Sequence, residues 1–164
     1  MADQYVRRMH GALFSTPVAR QEIFPAAAGQ ALGAAGNDPL WSAWVDVALP
    51  AVITVENLIV GFALDTISAT CIAVVDIGIT LSLGVIYATA AAVTAGGAAV
   101  IAGAHRAVAR VHYLIVGAAG YTTLPVIPLL VPVQVPAGIG IIARWQTVGG
   151  AETANITVTC IQNL

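Results

Sequence analysis

Lysine is absent from the 164-residue sequence, and its six basic residues are all arginines. The missing lysine excludes a phosphate-binding P-loop, whose glycine-rich turn ends in a lysine that reaches the phosphates. Because the formal net charge is −2, the chain does not have the basic face that a nucleic-acid-binding protein presents. Two cysteines, Cys71 and Cys160, are too few for a disulfide framework or a zinc site, and we expect buried free thiols.

Residues that perform catalysis are also sparse. No Gly-x-Ser-x-Gly nucleophile elbow occurs. His105 and His112 lie seven residues apart, so on a strand they point to opposite faces and suit no shared metal. The carboxylates are spread over different predicted strands, without an evident pair. We therefore predict no enzyme activity, no catalytic residue, no metal site and no cofactor.

Charged residues make up only 9% of the chain and hydrophobic residues 59%, whereas ordinary soluble domains use about 25% charged residues. A soluble monomer with so few charges would expose apolar surface and tend to associate. The chain therefore either lies in lipid or buries much of its surface against other protein. Since arginine suits interfacial pairing better than lysine does, we favour an obligate assembly.

A membrane span is the competing interpretation of the charge-free stretch Ile77–Ala104. About 20 apolar residues cross the hydrocarbon core of a bilayer. This stretch, however, is rich in Ala, Gly and Thr, which contribute little transfer free energy, and no cluster of basic residues flanks it. We expect no membrane insertion, although part of the stretch can be helical.

From Trp41 onward the pattern is typical of β-strands. Residues alternate between apolar and polar in three segments, and two further runs are apolar on both faces, which predicts strands covered on both sides. The alternating segments are Trp41–Val47, Val52–Glu56 and Asn155–Ile161; the apolar runs are Leu58–Phe62 and Cys71–Val75.

Four prolines between Leu124 and Pro136 settle the fold class, because they exclude a helix and confine this segment to the edge or the end of a sheet. Pro136-Ala137-Gly138 forms a predicted turn, from which Ile139–Gln146 returns as a strand. Short strands separated by Gly and Pro turns indicate an all-β protein, a jelly-roll-like antiparallel β-sandwich over residues 41–164.

Residues 1–40 are predicted to form an extended N-terminal arm. They show no sustained period of 2 or of 3.6 residues, so an arm without its own core must be ordered by neighbouring subunits. We expect Arg7, Arg8 and Arg20 to contact a partner there, and deletion of residues 1–30 to leave the sandwich folded. A floppy terminus is the alternative, and a short helix around Val18–Phe24 is possible.

Two segments are similar to tailed-bacteriophage virion proteins. Val74–Ile79 resembles the "DIGIG"-like strand of those proteins, and Val135–Gln146 resembles the hairpin and strand that follow it. The resemblance covers roughly residues 41–164. Two positions depart from the pattern: Gly140 stands where an Arg is usual, and Leu81–Leu83 replaces a Gly-Ser-Glu-like turn.

This resemblance implies a virion structural role. The most specific hypothesis is a capsid decoration (cement) protein, a homotrimer that binds the major capsid protein or other virion proteins. A tail, baseplate or fibre component is the runner-up, and a small integral membrane protein is a further alternative. A carbohydrate-binding sandwich would need exposed aromatic residues; Trp41, Trp44 and Trp145 are the candidates, and we expect them in the core.

Two groups of charged residues are candidate sites. Arg106, Arg110 and His112 share one face of a strand and would dock onto an acidic neighbour, unless they are simply solvated. Asp76 and Arg144 lie inside apolar strands, where an isolated charge is costly. A bidentate pair between them would satisfy both groups and set the register of the strands; the alternative is that each faces solvent.

Overall fold

The computed structural model describes residues 21–25, 29–82, 85–97, 107–115 and 126–162. These residues form mostly β-strands, with one short helix, α1, at Ala90–Gly97. The strands in chain order are β1 (Gln21–Phe24), β2 (Gln30–Ala31), β3 (Gly36–Asn37), β4 (Val45–Ala48), β5 (Asn57–Asp65), β6 (Cys71–Ile79), β7 (Leu81–Ser82), β8 (Val85–Ile86), β9 (Ala107–Ile115), β10 (Ile127–Val135), β11 (Ile141–Thr147) and β12 (Asn155–Gln162).

Two five-stranded sheets contain all of these strands except the small pair β7-β8. The first sheet has the order β1-β12-β5-β10, and β2 also pairs with β12. The second sheet has the order β3-β11-β6-β9, and β4 also pairs with β11. Every pair within these two sheets is antiparallel except β3 with β11. The predicted all-β antiparallel sandwich is confirmed, while its jelly-roll connectivity stays a prediction.

One hydrophobic core lies between the two sheets. Phe62 and Ile156 of the first sheet and Val75, Ile77 and Trp145 of the second are 0% exposed and belong to one cluster. Successive side chains of a strand point to opposite faces, so each strand of the second sheet also presents an outer face. That outer face carries the polar residues described below.

The segment 126–140 forms an edge and a turn. β10 lies at the end of the first sheet and has β5 as its neighbour there, so its prolines interrupt no central ladder. The turn after Pro136 is confirmed, with Gly138 at φ +78°, a conformation that glycine adopts without steric cost. The strand predicted at Ile139–Gln146 is confirmed as β11.

Val52–Glu56 is not a strand, and that prediction is wrong. Local turns take its amides: Val52 N–H donates to the Leu49 carbonyl (2.9 Å) and Ile53 N–H to that of Pro50 (3.2 Å). Ile53 is buried at 1% exposure. The alternation of apolar and polar residues in this segment therefore reflects a turn that packs against the core, and not a strand.

Residues 21–25 and 29–40 are part of the sandwich, which corrects the predicted arm boundary. β1 and β2 both pair with β12, and β3 pairs with β11. Phe24 and Leu32 are in the central core at 7% and 1% exposure. The helix considered around Val18–Phe24 is a strand in its described part. Residues 1–20, with the three arginines predicted to bind a partner, lie outside the described residues.

Helix α1 lies on the outer face of the second sheet. Ala90 and Val93 pack against Trp44 and Ile142. Ala90 N–H donates to Asp46 Oδ1 at 2.6 Å, so a carboxylate from β4 satisfies an amide in the first turn of the helix. The helix lies within the charge-free stretch Ile77–Ala104. Among the described residues, no helix is both long and apolar enough to cross a membrane.

Close packing explains why position 140 is a glycine. A Cβ atom there would lie 2.7 Å from the Ala48 carbonyl oxygen and 3.0 Å from Cγ2 of Thr80. In addition, Gly140 N–H donates to Thr80 Oγ1 at 2.7 Å, and Thr80 is fully buried. A larger side chain at this position does not fit this packing.

Cys71 and Cys160 are buried free thiols, as predicted. Burial, with a smaller contribution from Glu22, raises the pKa of Cys160 from 9.0 to about 12. The unfolded chain therefore loses this proton at a lower pH than the folded chain does, and ionisation favours unfolding.

The free energy of unfolding is expected to fall between pH 9 and pH 12 through Cys160, by about 1.4 kcal/mol per pH unit. The contribution is complete below pH 9, where the thiol is protonated in both states. Denaturant unfolding of the wild type and of Cys160→Ala across this range measures it. The slope should be shallower for the variant; identical slopes would show that Cys160 does not titrate differently in the two states.

Candidate functional site

Asp76 is a carboxylate buried on the outer face of the second sheet. Its neighbours Val75 and Ile77 point into the core, so Asp76 points outward together with Val74. Its side chain nevertheless has 0% exposure. Because an isolated buried carboxylate is costly, Asp76 requires partners that compensate its charge.

Two arginines, one on each neighbouring strand, satisfy Asp76. In the β-ladder Asp76 lies between Arg144 of β11 and Arg110 of β9. Arg110 donates from Nε to Oδ1 (2.7 Å) and from Nη2 to Oδ2 (2.9 Å). Arg144 approaches Oδ2 with Nε at 3.1 Å and Nη2 at 3.0 Å. Charge-assisted bonds from both sides thus compensate the desolvation of the carboxylate.

Two tryptophans stack on the arginines. The guanidinium carbons of Arg110 and Arg144 lie 4.7 Å and 4.5 Å from the ring centre of Trp41. Arg144 also lies 4.5 Å from the ring centre of Trp44. Contacts of this kind with a partly desolvated cation each contribute about 0.5–2 kcal/mol. We call Asp76, Arg110, Arg144, Trp41 and Trp44 the Asp76 cluster.

The Asp76 cluster carries one negative and two positive charges. The hydrogen bond from Arg110 to Asp76 raises the pKa of Arg110 above its usual value, although partial burial acts in the opposite direction. Arg110 therefore stays protonated. Arg110 is 49% exposed and Arg144 22%, so the excess positive charge lies at the surface. Chemically, the arrangement can hold an anion.

The structure brings Asp76 and Arg144 together but changes the geometry that the sequence suggested. Both Arg144 nitrogens approach a single oxygen, Oδ2. The two-oxygen fork expected of Arg144 is made by Arg110 instead. This third member was not predictable from the sequence, because nothing in the chain indicates that β9 lies beside β6.

The three residues of the predicted basic group, Arg106, Arg110 and His112, therefore have to be considered one by one. Arg110 binds Asp76 within the chain, and its contact with an external partner stays a prediction. The backbone of His112 lies opposite Val74, two register positions from the Arg110–Asp76 pair. Arg106 lies outside the described residues.

The tryptophans do not form a sugar-binding platform. Trp145 is in the central core at 0% exposure, where its Nε1–H donates to the Gly33 carbonyl (3.3 Å). Trp44 is 8% exposed and Trp41 is half-buried, and both are covered by arginine. The role of Trp41 and Trp44 as stacking partners was missed, and the expectation that Trp41 lies in the core is wrong, since it is half-buried.

Within the described ranges, no three His, Cys, Asp or Glu side chains lie close enough to hold a metal ion. The remaining described carboxylates are used locally. Asp38 accepts from Gln146, Asp65 from Thr66 and Glu152 from Thr147. The Asp76 cluster is thus the one concentration of charge that the described part of the chain presents.

No family model matches the chain, and no curated protein matches it. Solved structures with some likeness include a chain of infectious bursal disease virus, Gt strain (TM-score 0.31, 12% identity, covering 91% of this chain and 33% of that one). A chain of the T13 particle of the same virus gives a TM-score of 0.30 at 11% identity, covering 92% of this chain and 36% of that one. The chain thus spans about a third of their length. A likeness at these scores does not establish a shared fold or function.

Proposed function

We propose that this protein is a structural component of a virus particle, most specifically a capsid decoration protein. It would bind neighbouring subunits of the major capsid protein and stabilise their contacts, with a homotrimer as its preferred state because capsids offer many three-fold sites. Its function is then binding and mechanical support.

The observation that carries the proposal is the number of large apolar side chains on the surface of a charge-poor sandwich. Leu130 and Val131 on edge strand β10 are 102% and 75% exposed. Such surfaces associate in water and are covered in an assembly. The other large apolar residues of the described part with at least 37% exposure are Ile23, Leu40, Leu49, Val52, Val55, Ile72, Val85, Ile86, Val126 and Val148.

The similarity to phage virion proteins supports the proposal through residues that are adjacent in the fold. The two similar segments cover most of β6 and β11, which pair along seven residues from Ala73 to Ile79. Asp76 and Arg144, on which the similarity partly rests, form an ion pair between these strands. The two segments are therefore neighbours in the fold of this chain.

Antibody labelling of the source particle tests the proposal. Gold-labelled antibody against the purified chain is expected to decorate the heads of intact virions in electron micrographs. Label on tails or baseplates would overturn the decoration role in favour of a tail component. Intact particles without label, checked with an antibody against the major capsid protein, would overturn a virion role altogether.

Expression without detergent separates the proposal from the membrane alternative. A soluble oligomer with a β-type circular dichroism spectrum is expected, because the described part consists mainly of β-strands and has one short helix. Recovery only in detergent, with a helical spectrum, would overturn the proposal.

A further inference from the structure

The Asp76 cluster has unused capacity for one more anion. Arg110 commits Nε and Nη2 to Asp76, so the two N–H groups of Nη1 remain for another acceptor. In the described part of the chain, no hydrogen bond or ion pair uses Nη1 of Arg110 or of Arg144. Since the cluster holds two guanidinium groups and one carboxylate, a second carboxylate would balance its charge.

The site is already held in place. Trp41 contacts both guanidinium groups, and Trp44 contacts that of Arg144. Asp76 holds the same two guanidinium groups from the side of the sheet, because its strand β6 lies between β11 and β9. A ligand would therefore find the arginines ordered, which removes part of the side-chain entropy cost of binding.

Exposed apolar residues lie on the same face of the second sheet, beyond the Val74–Gln146 position that follows the cluster. Ile72, four residues before Asp76 on the same face of β6, is 53% exposed. Val148, 63% exposed, lies beside it, since Val148 N–H donates to the Ile72 carbonyl at 3.4 Å. An acidic side chain with apolar neighbours in its own sequence matches this combination of charge and apolar surface.

A second copy of the chain does not offer such a group in its described part. Besides Asp76, the six other described carboxylates already take part in interactions within their own chain. The described part of a second copy thus offers no uncommitted carboxylate, and we place the ligand on a different protein.

We infer that Arg110, Arg144 and Trp41 form a docking site for an Asp or Glu side chain, flanked by apolar residues, on another protein. The inference deepens the proposed function and depends on it in one respect only, that the partner belongs to the same particle. The site itself is a property of this chain.

Peptide titration followed by NMR tests the site directly. The ¹⁵N-labelled full chain is titrated with acetyl-Leu-Glu-Leu-amide, and separately with the matched acetyl-Leu-Gln-Leu-amide. The Nε–H signals of Arg110 and Arg144 and the indole signal of Trp41 are expected to shift with the Glu peptide, and at least about tenfold less peptide should be needed than with the Gln peptide. Added salt should weaken the response, because the site is at the surface.

Variants separate the charge from the apolar contact. Arg110→Gln is expected to weaken the binding of the Glu peptide by about tenfold or more while its circular dichroism stays that of the wild type. Ile72→Thr should weaken it less, and Ile23→Thr, a matched change of an exposed isoleucine in the first sheet, should have no effect.

Equal shifts with both peptides, or none up to about 10 mM peptide, would overturn the inference. If Arg110→Gln fails to fold, the comparison of the two peptides on the wild type still decides. These outcomes are independent of where antibody label lies on virions, so failure of the site and failure of the proposed function are distinguishable.

Discussion

Asp76→Asn is expected to lower the free energy of unfolding by about 3–5 kcal/mol, the usual cost of removing one partner from a buried ion pair. Asp76 has 0% exposure and compensates two guanidinium groups at 2.7–3.1 Å. Asparagine is nearly the same size but neutral, and its amide NH₂ would face N–H donors. The two arginines would then be left held against each other by Trp41 without a counter-charge.

The two arginine variants serve as graded controls for Asp76→Asn. Arg110 is 49% exposed, so Arg110→Met should cost only about 0–1 kcal/mol. Arg144 is 22% exposed, so Arg144→Met should fall between these two values. Thermal and denaturant unfolding of the three variants measures the order.

The double variant Asp76→Asn, Arg144→Met should cost less than the sum of the single changes, because both remove the same interaction. Two near-neutral single variants at Asp76 and Arg144 would contradict the structure, since they would mean that these charges are solvated.

Deletion of residues 1–30 is expected to remove most of the stability of the sandwich, in contrast to the sequence-based expectation that it would stay folded. The deletion removes β1 and its pairing with Ile161 through Val158 of β12. It also removes Phe24, which is 7% exposed in the core; loss of a buried phenylalanine side chain costs about 3–5 kcal/mol. Domains have only about 5–15 kcal/mol in total.

The matched control is deletion of residues 1–20, which retains every described strand. The difference between the two deletions in thermal unfolding isolates β1 and the start of β2, whatever residues 1–20 do. A deletion of 1–30 with the midpoint of the 1–20 deletion would mean that β1 contributes nothing to the fold. Particle binding of the 1–20 deletion tests separately whether Arg7, Arg8 and Arg20 contact a partner.

The residues of the central strands were readable from the sequence because their pattern is local. In β12 the buried residues Ile156, Val158 and Cys160 were predicted correctly, whereas Thr159, expected to face outward, is also buried at 7% exposure. The prolines of β10 excluded a helix by covalent geometry alone. The same reasoning misjudged Val52–Glu56, since a turn that buries Ile53 repeats the spacing of a strand.

The partner of a buried charge was only half predictable. That Asp76 needs a cation follows from the cost of an isolated buried carboxylate, and Arg144 was found by that argument. Arg110 was not, because its approach depends on β9 lying beside β6, a pairing between residues 34 positions apart.

The sequence by itself determined the class of the protein: which segments are extended, where they turn, and that its few charges cannot stand alone among apolar residues. The tertiary structure decided which strands are neighbours, that β1–β3 belong to the sandwich, and that two arginines share one carboxylate. Alternation and turn chemistry are properties of a few consecutive residues, whereas strand pairing is selected by the packing energy of the whole core, to which distant segments contribute together.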